Sequence, residues 1–180
     1  MNRQLGLGLI LAVAAVGRLL GSSQGYPDFY GHVDEIGVAA SIWNFFRDAS
    51  LRPTEFTYPA LYSYIVASVV AGTGIVAAGS FPGAGFLDRL TLMSYTDPAW
   101  SALMGRGVSI AADMVHVVVI HRLSRRVGAG RWAWFGALAY AVAIVPTRQA
   151  HMALPDATVA LLSTLVVYRA WMILEGEGEW

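Results

Sequence analysis

The chain has 180 residues, of which 56% are hydrophobic and only 13% charged. Its twelve bases balance its twelve acids, so net charge points neither to nucleic acid nor to general attraction by anionic lipid. Cysteine is absent, which excludes disulfides, thiol catalysis and Cys-ligated metal. Apolar runs of about twenty residues indicate an all-α integral membrane protein rather than a soluble domain. Every base is arginine, as a GC-rich bacterial coding sequence would produce.

The first apolar segment covers about Leu5–Leu20. Its flank Arg18-Leu19-Leu20 lacks a small-residue cleavage pattern, so an uncleaved first helix is expected rather than a signal peptide. A polar loop with Asp34 and Glu35 follows, then a stretch in which Val33, Ile36, Ala40, Trp43 and Phe46 fall at helical spacing. That pattern predicts a helix lying on the membrane surface. Acids in its first turn suit the helix dipole, so capping is one reading of Asp34 and Glu35 and a functional site is the other. Pro53 and Pro59 stop any helix running through, and Tyr58-Pro59 sets an extended start for the next apolar run, Tyr58–Gly79. Tyr62 and Tyr64 are expected to anchor at the interface. The glycines Gly72, Gly74 and Gly79, with the breaker Ser80-Phe81-Pro82-Gly83, favour a re-entrant or interfacial run. Phe81–Ala102 is a connection in which Asp88-Arg89 and Asp97-Pro98 mark turns.

Three further spans are expected at Met104–Leu123, Trp132–Thr147 and Ala157–Leu174. With the first they make four transmembrane helices, plus interfacial or juxtamembrane helices in a long first loop. The 180 residues then form one membrane domain: a first span (1–21), an outer loop (22–103) and three further spans (104–180). The short loop His121–Arg131 carries four arginines, and short basic loops prefer the cytoplasm. Placing Met1 on that side too requires an even number of crossings between them. Tyr58–Gly79 then lies along or re-enters the membrane, and Asp34 and Asp156 face the same outer side.

The ordered motifs resemble a known family. They are the Asp34-Glu35 loop, Pro53 with Phe56, Tyr58-Pro59 with Leu61, Gly105-Arg106 with Ser109, Arg125-Arg126, and His151 with Pro155-Asp156. Together they are similar to the type C membrane glycosyltransferases, specifically bacterial relatives of the dolichyl-phosphate-mannose protein mannosyltransferases and the lipid A aminoarabinose transferases. The resemblance implies transfer of a sugar from a polyprenyl-phosphate donor to a protein or glycan acceptor, outside the bacterial plasma membrane. It implies that Asp34 is the general base, with Glu35, Tyr58, Arg106, Arg148, His151 and Asp156 binding substrate. Arg106 and Arg148 are the expected partners of the lipid phosphate, because an arginine fork suits phosphate oxygens. Family members carry roughly twice as many helices or more, so the chain resembles the N-terminal part of such an enzyme.

Asp113 and His116 share a face of the Met104–Leu123 segment. Either they line a proton or ion path, as in a transporter, or they bond to a neighbouring helix. Arg169 is expected to snorkel from the last span. His32 beside Asp34-Glu35 is a possible metal cluster, but no recognised ligand spacing occurs and no cofactor is expected. A non-catalytic membrane subunit is the remaining alternative.

Overall fold

The structure, a computed structural model, describes residues 3–25, 32–53, 58–78 and 85–176. Phe56 and the expected breaker Ser80-Phe81-Pro82-Gly83 lie outside the described residues. Among the described residues all regular structure is helical: α1 (Arg3–Leu19), α2 (Glu35–Arg47), α3 (Ala60–Ala78), α4 (Phe86–Thr96), α5 (Pro98–Ser124), α6 (Ala133–Val142), α7 (Ile144–Ala150) and α8 (Asp156–Leu174). A kinked turn, Arg125–Ala129, and a 3-10 turn, Gly130–Trp132, join α5 to α6.

Among the described residues two stretches are long and apolar enough to cross a membrane, Ala99–Ala129 and α8, while α1, α3 and α6 are shorter apolar helices. Four complete spans are therefore not what the helix lengths show. The expected span Trp132–Thr147 is broken at Ala143, whose backbone is extended with φ −68° and ψ 132°. Pro146 supplies the reason. Its ring would strike the carbonyl of Val142 in a continuous helix, but it is tolerated in the first turn of α7, where no N–H is needed. Only 6% of the apolar window of α8 is buried. A soluble core helix would hide such a surface, whereas lipid accommodates it.

The chain divides into two compact units. A bundle unit comprises Met1–Leu20, Ser109–His151 and Asp156–Trp180; a loop unit comprises Gly21–Val108 and Met152–Pro155. In the bundle unit, Ile10, Ala14, Val117, Ala137 and Ala141 form the apolar core. Small residues let the backbones approach closely where lipid gives little drive for helix association. A methyl group on Gly136 would lie 2.9 Å from Ser124 Oγ, so α6 passes close to the end of α5 at this glycine. Neighbours along the helices set their directions. Gly136 meets Ser124 and Tyr140 meets Asp113, so α6 runs antiparallel to α5. Thr164 meets His116 and Glu175 meets Arg126, so α8 runs parallel to α5.

In the loop unit, Val38, Ile42, Phe45 and Phe46 of α2 pack with Tyr62, Val66 and Val70 of α3 and Leu90 of α4. The face of α2 differs from the sequence expectation: Val33 and Ile36 are exposed, and the buried stripe runs through Glu35, Val38, Ala39, Ile42, Phe45 and Phe46. Apolar residues surround this helix, so periodicity alone does not choose which side meets protein. Asp88-Arg89 lies inside α4 rather than at a turn, whereas Asp97 does separate α4 from α5. The Tyr58–Gly79 run is a continuous helix from Ala60 to Ala78 that contains Gly72 and Gly74 without a break. Tyr62 is fully buried rather than interfacial; its hydroxyl donates to the Gly105 carbonyl at 2.9 Å. Tyr64 donates to the Leu51 carbonyl at 2.9 Å.

Candidate functional site

At the start of α2 the two acids of the loop have opposite environments. Glu35 is fully buried and meets Arg106 in a two-pronged ion pair, with Nε donating to Oε1 and Nη2 to Oε2, both at 2.8 Å. The remaining lone pairs take backbone amides: Ala153 N–H at 2.8 Å and His32 N–H at 3.1 Å. Arg106 Nη1 donates to the carbonyls of Ser22 and Gln24 at 2.9 and 2.7 Å, so four of its five N–H groups are used. Burial is the largest single influence on the Glu35 carboxyl and would raise its pKa. The Arg106 hydrogen bonds and charge, with the two amides, outweigh burial and hold it below the usual carboxylate range.

This node gathers segments far apart in sequence. Gly105 is essential to it, because an added methyl would lie 2.7 Å from the Ala153 methyl group and 3.4 Å from the Ala153 Cα. The Asp34-Glu35, Tyr62, Gly105-Arg106 and Met152–Pro155 segments are therefore bound to one another within the loop unit. Tyr58 is half-buried and packs on the apolar cluster of the same unit.

Asp34 is the N-cap residue of α2, yet its side chain makes no capping hydrogen bond. Its carboxylate is 46% exposed and sits 3.4 Å from His32 Nδ1. That nitrogen accepts the Asp34 backbone N–H at 3.2 Å, and in that tautomer it has no proton to give the carboxylate. The capping expectation thus fails for the Asp34 side chain, which is left as an accessible acceptor. His32, Asp34 and Glu35 do not converge as a metal cluster, because Glu35 turns to Arg106; among the described residues no group of three or more His, Asp or Glu side chains could hold a metal.

The other expected site residues belong to the bundle unit. Arg148 and His151 line a cleft of about 520 Å³ walled by Val13, Ala141, Val142 and Ile144 of α1, α6 and α7. His151 Nε2 donates to the Gly17 carbonyl at 3.0 Å, which leaves Nδ1 as the acceptor of the neutral ring. Arg148 is exposed and makes no ion pair among the described residues. Asp156 is the first residue of α8, exposed, where the helix dipole favours negative charge.

Asp113 and His116 enter a chain of polar contacts that the sequence pattern does not reveal. Arg18, wholly buried, pairs with Asp113 and donates to the Ala141 carbonyl at 2.9 Å. The Tyr140 hydroxyl lies 2.5 Å from the second Asp113 oxygen and 2.8 Å from His116 Nδ1, and His116 Nε2 lies 2.7 Å from Thr164 Oγ1. These are bonds between neighbouring helices. The signal that could have exposed them is a charged residue at 18, next to an apolar run, with one acid inside a later one.

No protein-family model matches the sequence, and neither a characterised protein nor a solved structure matches it.

Proposed function

We propose that the chain is the N-terminal part of a membrane glycosyltransferase. It moves a sugar from a polyprenyl-phosphate donor to an acceptor hydroxyl at the outer face of the bacterial plasma membrane. The observation that carries this reading is the contrast within the acid pair. Asp34 is accessible and free of hydrogen bonds to its carboxylate among the described residues, while Glu35 beside it is buried and saturated.

An acceptor hydroxyl is a poor nucleophile near neutral pH. Asp34 takes its proton as the oxygen attacks the anomeric carbon. The bond from that carbon to the lipid phosphate breaks, configuration inverts, and polyprenyl phosphate leaves with the electron pair. The resemblance assigns the lipid phosphate to Arg148 and Arg106; within the bundle unit Arg148 is exposed at an apolar cleft. Arg106 is assigned a positioning role instead, since its donors are committed to Glu35 and backbone carbonyls.

The transporter alternative is less favoured, because Asp113 and His116 are occupied by Arg18, Tyr140 and Thr164. The test is release of polyprenyl phosphate from radiolabelled polyprenyl-phosphate sugars, in membranes carrying the full-length protein. Asp34→Asn should lower the rate by about 10²–10⁴-fold. Transfer at the parental rate would remove Asp34 from the base role.

A further inference from the structure

At the end of α5 the helix is interrupted by a kink within Arg125–Ala129, where Val127 and Gly128 leave helical geometry and Gly128 has φ +86°. Arg122, Arg125 and Arg126 converge there with Tyr168 of α8 around a cleft of about 390 Å³. Arg126 is partly neutralised by Glu175, 3.3 Å away. Arg122 and Arg125 are exposed and make no ion pair among the described residues. Two arginines at a helix C-terminus would suit the α5 dipole. Dipole compensation alone does not account for a concave site whose fourth wall is a tyrosine from another helix.

We infer that this cleft binds the phosphodiester head group of an anionic membrane phospholipid. Guanidinium forks match phosphate oxygens in charge and geometry, and Tyr168 supplies a neutral hydroxyl donor. The surroundings favour a lipid over free phosphate. The cleft lies at the C-terminal ends of the two stretches able to cross a membrane, which run parallel. Beside Tyr168, α8 exposes Val166, Val167, Trp171 and Leu174, an apolar surface suited to acyl chains. Basic pockets between helices at the cytoplasmic end are a recurrent form of head-group recognition.

The test uses the full chain in detergent micelles doped with dioctanoyl phosphatidylglycerol or dioctanoyl phosphatidylcholine, with bound lipid counted by native mass spectrometry. The parent should retain phosphatidylglycerol in preference to phosphatidylcholine. Arg122→Ala with Arg125→Ala should weaken that retention about thirty-fold through the loss of two surface charges. Arg47→Ala with Arg52→Ala, on exposed arginines of the loop unit, should leave it unchanged. Raising sodium chloride should erode the parent's preference, a reading that needs no variant. Equal retention of the two lipids, indifference to salt, or parental binding by the Arg122/Arg125 variant would overturn the proposal. Displacement by inorganic phosphate at equal concentration would also overturn it, by assigning the cleft to a soluble anion.

Discussion

Replacing Arg106 with Met keeps a long side chain in the loop unit and removes only the guanidinium. The Glu35 carboxylate, 0% exposed, would keep two backbone donors, Ala153 N–H and His32 N–H, and lose its charge partner. The carbonyls of Ser22 and Gln24 would lose the same donor. Breaking one side of such a buried pair costs about 3–5 kcal/mol. For a chain of this size that is a drop of roughly 6–20 °C in melting temperature. Glu35→Gln should also destabilise: whichever oxygen becomes the amide nitrogen, it faces two hydrogen-bond donors, either Arg106 Nε with Ala153 N–H or Arg106 Nη2 with His32 N–H. Converting both residues to Met removes both charges together and should recover about 2–3 kcal/mol relative to the summed single Met variants. The assay is thermal unfolding in nanodiscs, followed by tryptophan fluorescence. Additive losses in the Met cycle, or an Arg106→Met melt within about a degree of the parent, would refute a buried, mutually dependent pair; the size of loss that matters is set by the range above.

The depressed Glu35 carboxyl makes stability depend on pH with a definite sign. The folded state binds the proton less tightly than the unfolded state, so the added stability is present above the unfolded value near 4.5. It is lost as pH falls from there through the folded value, and the loss should be smaller in Glu35→Gln, as melts at stepped acid pH would show. Gly105→Ala should cost about 1–3 kcal/mol by forcing Ala153 away and loosening its amide bond to Glu35. A melting temperature equal to the parent's would show that the close approach is not needed. Single cysteines at positions 34 and 156 of this cysteine-free chain should both react with an impermeant thiol reagent added outside intact cells. Reaction from opposite sides would contradict the proposed topology.

Several elements were legible from composition and period. The last helix was expected at Ala157–Leu174 and runs Asp156–Leu174; the first was expected at Leu5–Leu20 and runs Arg3–Leu19. Long apolar runs specify helix because backbone groups away from water must bond within their own segment. The Tyr58-Pro59 start of α3 was legible too, since proline restricts its own backbone and that of its predecessor. The break at Ala143 could have been anticipated from Pro146 but was hidden by uniform apolarity around it.

The candidate site was legible in residue type and not in role. Asp34 and Glu35 are adjacent acids with the same local signals, yet one is exposed and the other buried. That difference is made by Arg106, 71 positions away, and by the Ala153 amide, 118 positions away. Likewise Asp113 is met by Arg18 across 95 positions. Periodicity reports which face of a segment is apolar because that property repeats along one chain segment. A buried charge finds its partner through the packing of separate helices, a long-range relation that leaves no repeating trace in the sequence.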